Sequence, residues 1–449
     1  MSIHFMQRLF KRSAIFFFTV FSMIFAQYSA TASEYIVEKV NPSGTRQRDW
    51  VVLPYAFSSE SMGFTAGAVG IFSGFIQPQM TLAATVFAGE EMPVEHAYYS
   101  DSDTERAVGG MLAVSGYNPS FSERTFISAI GVRMYNPKQR LYLDGGHDTK
   151  QFDGDYQPLE SQGHNNWADI DFRYVLPWGE STNTVLPVIK SNRGIAVNRD
   201  DAGGGAPFST GQTIIGTELF YAKLSADKFV QEPSLNTNGM RLYIEHDNTD
   251  YPANPSRGYR INGKVSADFG LGSSTQSWNA VELDYSHFLE IDNFSWTRQQ
   301  VLAFNFWTAY SPSWDKSGSL HEGGLLDKNQ TPMWEGARLG GLTRMRAYDS
   351  NRFNDKAAVY GAVEYRMIPS FNPMKDQGWS PFSIDWFQTV LFVEAGRVAE
   401  QYKLGTLLSD MKYDVGFSLR ALAANVPVRF DIAVGDEGTA MQVMINQPF

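Results

Sequence analysis

The 449-residue chain contains no cysteine, which excludes disulfide bonds and thiolate metal sites. Its 37 lysines and arginines are outnumbered by 48 acidic residues. This balance argues against nucleic acid or an anionic lipid surface as the partner. Beyond residue 32 the sequence also lacks any uninterrupted apolar run of the roughly 20 residues that a membrane helix needs. The composition therefore excludes a helical membrane protein.

The first 32 residues have the organisation of a secretory signal peptide. An apolar stretch over 14–26 lies between a basic start and an A-x-A site, formed by Arg8, Lys11, Arg12 and by Ala30-Thr31-Ala32. This order predicts cleavage before Ser33. The competing interpretation is a membrane anchor, but the stretch is shorter than a span requires. The expected mature chain, 33–449, keeps 34 basic and 48 acidic residues and has a net charge of about −14.

The mature sequence is rich in short alternating segments. Runs of about ten residues alternate between large apolar side chains and small or polar ones, and Gly, Asn, Asp, Pro and Ser separate them. Because lipid-facing and lumen-facing positions alternate along a membrane strand, this pattern predicts a transmembrane β-barrel. The 39 glycines and 14% aromatic residues suit tight turns and interfacial girdles. A soluble β-sandwich or propeller is the alternative.

The alternating segments predict sixteen strands, an even number as in bacterial single-chain barrels. They are 50–58, 62–73, 78–88, 106–117, 124–135, 166–177, one between 183 and 224, then 237–247, 258–270, 276–290, 299–310, 357–367, 384–395, 409–421, 427–435 and 439–448. TNTVLPVIKSNRGIAV and GQTIIGTELFYAKL compete for the seventh. With both ends in the periplasm, the long connections 89–105, 136–165 and 311–356 face outwards.

One segment is more specific than the others: GARLGGLTRMRAYDSNRFNDKAAVYGAVEYRM, residues 336–367. It combines the pair Gly340-Gly341, the triplet Arg346-Ala347-Tyr348 and an alternating run. The segment resembles the sixth extracellular loop and following strand of the BamA/TamA outer-membrane assembly factors, the bacterial surface antigen barrels. Further stretches resemble the same superfamily: YAFSSESMGFTAGAVG (55–70), YIEHDNTDYPANPSRGYRINGKVS (243–266) with its turn residues Pro255 and Gly258, FVEAGRV (392–398), YDVGFSLRALAANVPVRFDIAVGDEG (413–438) and the terminal Phe449, which is similar to an aromatic C-terminal assembly signal.

The resemblance implies an all-β fold, a 16-stranded antiparallel transmembrane β-barrel (50–449) in a Gram-negative outer membrane, with the sixth loop folded into the lumen. It also implies a lock in which Arg346, followed by Tyr348, is held by Glu364 and Glu394. An arginine fork suits two carboxylates, and alternation places Glu364 on one face with Arg366. Ala347 and Glu394 depart from the family, which has Gly and Asp there. A plain surface arginine is the alternative.

The resemblance further implies a role in inserting, assembling or exporting outer-membrane or surface proteins or lipids. The expected partners are outer-membrane lipids, nascent outer-membrane or surface proteins and a separate periplasmic accessory protein. Only a short periplasmic segment, 33–49, precedes the first strand, so a member without POTRA domains is expected. In the assembly factors the first and last strands meet at a weakly bonded seam, so the resemblance implies one between strands 50–58 and 439–448. Pro54 and Pro448 lack a backbone donor, which fits such a seam and equally fits an ordinary edge strand.

Two other classes compete with an assembly factor. A passive outer-membrane channel would have the same strand pattern. An interfacial hydrolase would need a Ser-His pair, but in Ser286-His287 adjacent strand residues point to opposite faces. The histidines lack zinc spacing, and acidic clusters such as Asp200-Asp201, which could hold calcium, are typical of solvated surface. We therefore expect no enzyme activity, no cofactor and no metal.

Overall fold

The computed structural model describes residues 33–39, 50–59, 61–95, 102–143, 145–147, 158–206, 208–227, 234–319, 326–373, 384–423 and 425–449. The predicted signal peptide, 1–32, lies outside these residues. In this part of the chain, no helix has the length and apolar character that crossing a bilayer requires.

Sixteen strands form one antiparallel sheet in which each strand pairs with the next along the chain. They are β1 (Trp50–Ser59), β2 (Gly63–Ser73), β3 (Thr81–Glu95), β4 (Ser102–Tyr117), β5 (Thr125–Leu141), β6 (Leu159–Val175), β7 (Gln212–Ser225), β8 (Ser234–Asp247), β9 (Gly258–Asp268), β10 (Trp278–Glu290), β11 (Thr297–Tyr310), β12 (Ala357–Pro369), β13 (Ile384–Ala399), β14 (Lys412–Ala423), β15 (Val426–Gly435) and β16 (Gly438–Ile445). The predicted all-β class and strand number are confirmed. The segment GQTIIGTELFYAKL forms the seventh strand.

The predicted loops 89–105 and 136–165 are wrong in extent, because the strands continue into them. In β3 and β4, Glu91 lies directly opposite Arg106 at 2.6 Å. In β5 and β6, Arg140 lies opposite Glu160 at 2.9 Å. Charged residues that are typical of loops are here matched across strands, which favours continued pairing.

Side chains alternate between the two faces of the sheet. In β12, Glu364 and Arg366 are fully buried, whereas Val363, the residue before Glu364, is 44% exposed. The face that carries Glu364 is called the buried face below. The opposite face exposes large apolar side chains such as Leu112, Leu242 and Leu391. Such an apolar surface is expected where strands contact lipid.

The two ends of the sheet, β1 and β16, share no ladder among the described residues. By alternation Val426 and Ile445 belong to the exposed face, yet they pack against an apolar cluster on the buried face of the first strands, which includes Val69 and Ile71. The last edge therefore lies against the buried side of the first strands. The predicted strand 439–448 is too long, since β16 ends at Ile445 and Asn446 has a φ of 71°.

Seven short strands of the described part of the chain lie outside this sheet: Ile36–Lys39, Val188–Asn192, Ile195–Ala196, Asp315–Ser319, Asp327–Lys328, Arg338–Leu339 and Phe353–Asn354. The first three form a separate sheet, called the small sheet below. It combines part of the predicted N-terminal segment with the connection between β6 and β7. A four-residue helix, Leu404–Leu407, follows β13.

Candidate functional site: the buried network around Arg346

The connection between β11 and β12 turns sharply at a glycine pair. Gly340 and Gly341 have φ angles of 102° and 117°, a backbone region that favours glycine. A β-carbon on Gly340 would lie 2.2 Å from the carbonyl oxygen of Asp349. The Gly341 amide donates to the Tyr348 carbonyl over 3.0 Å. The turn thus closes a compact loop that presents residues 344–348 to the sheet.

Arg346 lies between the two predicted carboxylates. Its Nη2 is 2.9 Å from Glu364 Oε1, and its Nε is 3.0 Å from Glu394 Oε1. Its backbone amide donates to Glu394 Oε2 over 2.6 Å, and its guanidinium lies 3.5 Å from the centre of the Phe392 ring. Burial disfavours the charged guanidinium, but Glu394 and Glu364 outweigh it and raise the pKa of Arg346. The arginine is therefore a permanent buried cation.

The two departures from the family pattern fit this geometry. The longer side chain of Glu394 reaches both the backbone and the guanidinium of Arg346, and it also accepts the Tyr360 hydroxyl at 2.5 Å. The left-handed residue of the triplet region is Met345, with a φ of 55°, and Ala347 is not left-handed. An alanine is consequently tolerated at position 347, where its amide donates to Asp414 Oδ2 over 3.1 Å.

Tyr348, the last residue of the triplet, bridges to a neighbouring strand. Its hydroxyl donates to the Tyr413 carbonyl over 3.1 Å, and its ring packs edge-on against Phe353 at 5.0 Å. Tyr348 therefore adds a contact between the loop and β14 beside the Arg346 ion pairs.

Further buried charges, for which the sequence predicted no contact with this site, complete the network. Arg420 donates to both oxygens of Glu364, at 2.8 and 2.9 Å, and Arg366 Nε is 2.8 Å from the same carboxylate. Asp431 pairs with Arg429 and lies 3.6 Å from Arg346 Nη1. The Arg346 network is defined by four arginines and four carboxylates: Arg346, Arg366, Arg420, Arg429, Glu364, Glu394, Asp414 and Asp431. For the four members of the network that lie in 413–438, the alternation along the strands could have predicted a common face.

The last strand also contacts the loop. Gln442 of β16 donates through Nε2 to the Arg346 carbonyl at 2.8 Å and to the Gly341 carbonyl at 3.2 Å. The loop backbone therefore bonds to β16, while the Arg346 side chain pairs with β12 and β13. Contacts on one segment connect five consecutive strands, β12 to β16.

A second set of contacts ties the same connection to other strands. Glu335 accepts Arg241 of β8 at 2.9 Å, and Arg344 is 3.2 Å from Asp284 of β10. On the far side, Arg352 donates to both oxygens of Glu437, at 2.8 and 2.6 Å. The segment is therefore held against strands from both halves of the sheet.

The remaining predicted residues lie elsewhere. Pro255 lies in the connection between β8 and β9, and Gly258 opens β9 with a φ of 97°. Phe449 is 6% exposed, and its ring lies 4.9 Å from the Arg366 guanidinium. The terminal aromatic side chain thus packs on the buried face beside the Arg346 network.

The hydrolase alternative has no paired site at residues 286 and 287. Ser286 lies on the buried face and accepts Asn305 at 3.0 Å, whereas His287 contacts the exposed Tyr285. Among the described residues, no group of three or more His, Asp or Glu side chains has a metal-binding arrangement.

Comparison with known proteins identifies the family. The model of the Omp85 superfamily domain matches residues 198–449, more than half of the chain. The chain therefore belongs to the Omp85 superfamily of outer-membrane β-barrel proteins, and the resemblance to the BamA/TamA factors is confirmed. A comparison with curated protein sequences gives no match.

Solved structures show a similar fold at low sequence identity. CdiB from Escherichia coli matches with a TM-score of 0.51 and 10% identity over 89% of this chain and 61% of its own. CdiB from Acinetobacter baumannii has a TM-score of 0.47 and 10% identity, covering 89% and 59%. BamA from Haemophilus ducreyi lacking POTRA domains 1–3 has a TM-score of 0.46 and 12% identity, covering 90% and 71%. The chain spans about three-fifths of the two CdiB chains.

Proposed function

We propose that this protein is a closed outer-membrane barrel that assists the insertion, assembly or export of outer-membrane or surface proteins or lipids. In this proposal the connection between β11 and β12 folds into the lumen as a plug, locked by Arg346 to Glu364 and Glu394. The observation that carries the proposal is the complete burial of these three side chains in one ion-paired network. Buried charges persist only where they are paired, so the loop and the strands must form this arrangement together.

The edges of β1 and β16, which share no ladder among the described residues, support an assembly role. An exposed strand edge offers backbone donors and acceptors to an added strand. Pro54 removes one donor from β1, and Ile445 of β16 packs against the apolar cluster of the first strands, while no ladder joins β1 and β16 among the described residues. We propose that this seam receives strands of a nascent outer-membrane or surface protein, with a separate periplasmic protein delivering them.

The route to the membrane is part of the same proposal. A signal peptide over 1–32 would direct export through the inner membrane, and the apolar exposed face would then contact outer-membrane lipids. The protein would act on its clients without chemical catalysis.

The experiment is client insertion into liposomes. Purified protein is reconstituted, and a urea-unfolded outer-membrane barrel protein is added as the client. Folding of the client is followed by its heat-modifiable migration on gels. We expect folding at least fivefold faster than in empty liposomes. An equal rate in both would contradict the proposed function.

A passive channel is the second candidate. A cavity of about 840 Å³ lined by charged residues of β6 to β10 lies beneath the loop, and this observation favours conduction. Planar bilayers separate the two candidates. A steady, large conductance supports a channel, whereas a low, flickering current that rises in Arg346→Ala supports the plugged barrel.

A further inference from the structure

The small sheet includes part of the connection between β6 and β7, whereas Arg346 lies in the connection between β11 and β12. Because consecutive strands of the 16-stranded sheet are antiparallel, these two connections leave from opposite ends of the strands. Its strand Ile36–Lys39 runs parallel to Val188–Asn192, with Ile36 opposite Val188 and Lys39 opposite Ser191. The Ile36 amide also donates to the Pro187 carbonyl over 3.0 Å. This pairing is a strand added to an edge, a mode in which the backbone supplies affinity and side-chain pockets supply specificity.

The side-chain pockets next to this edge are built for particular residues. Glu34 is 4% exposed, and its carboxylate lies 3.0 Å from Arg173 Nη1. Its backbone is held at both polar atoms by Gln212, with the amide donating over 2.7 Å and the carbonyl accepting over 3.2 Å. The Tyr35 ring packs edge-on against the buried Tyr251 at 6.1 Å. These pockets therefore accommodate an acidic residue followed by an aromatic one.

The edge that accepts this segment is anchored independently of it. Gly194, in the turn after Val188–Asn192, accepts the Trp386 indole of β13 at 2.9 Å. Arg298 of β11 donates to the Asn192 carbonyl at 3.0 Å, and Ile195 packs with Trp386 and Leu422. Contacts with β11, β13 and β14 thus hold the strand Val188–Asn192 and the turn that follows it. Such anchoring would keep the acceptor edge in place when its occupant leaves.

From these contacts we propose that the edge of Val188–Asn192, with Arg173, Gln212 and Tyr251, is an acceptor site for an extended peptide. In this structure the site is occupied by the chain's own residues 33–39. The exchangeable ligand is an extended segment of a client or accessory protein in which an acidic and an aromatic residue precede β-branched residues. The identity of that ligand rests on the proposed function; the acceptor site itself does not.

Exchange is physically reasonable because the occupant is a short segment. Its ladder comprises four residue pairs, and it belongs to the same chain, so its local concentration is high. A free peptide must therefore compete with it. Restraining the chain's own segment should block binding, and removing it should strengthen binding.

The absence of native cysteine allows a selective restraint. Glu38 and Lys190 are opposite each other in the ladder, and both are exposed. The double substitution Glu38→Cys and Lys190→Cys therefore allows one disulfide across the pair, because neighbouring strands lie at a distance that a disulfide can bridge. The probe is a fluorescein-labelled peptide SEYIVEK, measured by fluorescence polarisation with the full-length protein in detergent. We expect at least tenfold tighter binding to the reduced than to the oxidised protein. The scrambled peptide and the two single-cysteine variants are controls.

A variant lacking residues 33–39 provides the second measurement. We expect it to bind the labelled peptide more tightly than either the reduced or the oxidised protein does. Equal peptide affinity before and after oxidation, or equal affinity for the scrambled peptide, would overturn the acceptor site, and so would a cysteine pair that does not oxidise. If the deletion prevents folding, the cysteine pair still decides, because it keeps the whole chain. The liposome assay remains a separate readout: slow client insertion with normal peptide binding contradicts the proposed function alone.

Discussion

The strands of the 16-stranded sheet have two ends, and a different kind of segment contacts each of them. At one end, a connection attached to the sheet on both sides inserts Arg346 into a fully buried charge network. At the other end, residues 36–39 add a strand to Val188–Asn192, and the neighbouring Glu34 is buried. The first arrangement uses side-chain charges that only this loop supplies, and the second uses mainly backbone pairing that other peptides can reproduce. We therefore expect the first contact to be fixed and the second to be exchangeable.

Removing the central cation should have the largest effect. In Arg346→Ala, Glu394 loses its guanidinium partner and Glu364 keeps only Arg366 and Arg420. Breaking a buried pair in this way typically costs about 3–5 kcal/mol. We expect a loss of this size in the free energy of unfolding, measured by urea titration of the reconstituted protein with heat-modifiable migration as readout.

The matched control for this variant is Arg106→Ala, which removes an exposed pair with Glu91. Exposed pairs contribute about 0–1 kcal/mol, so this control should differ little from the native chain. Comparable losses in the two variants would mean that the Arg346 network has no special stabilising role.

Blocking the glycine turn should have a smaller effect at the same end. In Gly340→Ala the new β-carbon meets the Asp349 carbonyl at 2.2 Å, and the φ of 102° is strained for alanine. Such backbone strain costs about 1–3 kcal/mol. The same urea titration measures the loss, with Gly405→Ala as the control, because a β-carbon there has no neighbour within 4 Å. An unchanged midpoint in Gly340→Ala would show that the loop relaxes around the turn.

The sequence was informative where local alternation determines the outcome. It placed Glu364 and Arg366 on one face, and both are buried. It also offered GQTIIGTELFYAKL as one of two candidates for the seventh strand. The predicted contacts of Arg346 came from the family resemblance, since no local pattern indicates which strand carboxylate a distant loop will reach.

Features that depend on long-range pairing were not predicted. Asp414, Arg420 and Asp431 alternate correctly along their strands, but alternation gives the face and not the neighbour across the sheet. The small sheet pairs residues 36–39 with residues 188–191, and a four-residue strand has too few positions to show a period. The acidic segments around Glu91 and Glu160 were assigned to loops because their pairing with Arg106 and Arg140 is visible only in register.

The smallest expected effect concerns pH and the exchangeable end. Burial raises the pKa of Glu34 to about 7, although Arg173 opposes the shift and Asp171 adds to it. Two further charged groups, Asp247 and Arg260, lie near the neighbouring residues of the segment. Because the bound segment holds this proton more tightly than a free glutamate does, its docking is favoured at low pH. Docking should weaken, by at most about tenfold for each pH unit, as pH rises from about 4.5 to about 7.

Nitroxide spin labels on Glu38→Cys and Lys190→Cys measure this equilibrium without thiol chemistry during the titration. The fraction of closely spaced labels should fall as pH rises towards 7, and with Glu34→Gln it should not change over that window. A decline of the same size in Glu34→Gln would assign the pH dependence to another group and remove Glu34 as its cause. If the fraction of closely spaced labels stays constant with and without Glu34→Gln, Arg173 holds Glu34 ionised. The contacts of residues 33–39 would then be as insensitive to pH as those of Arg346.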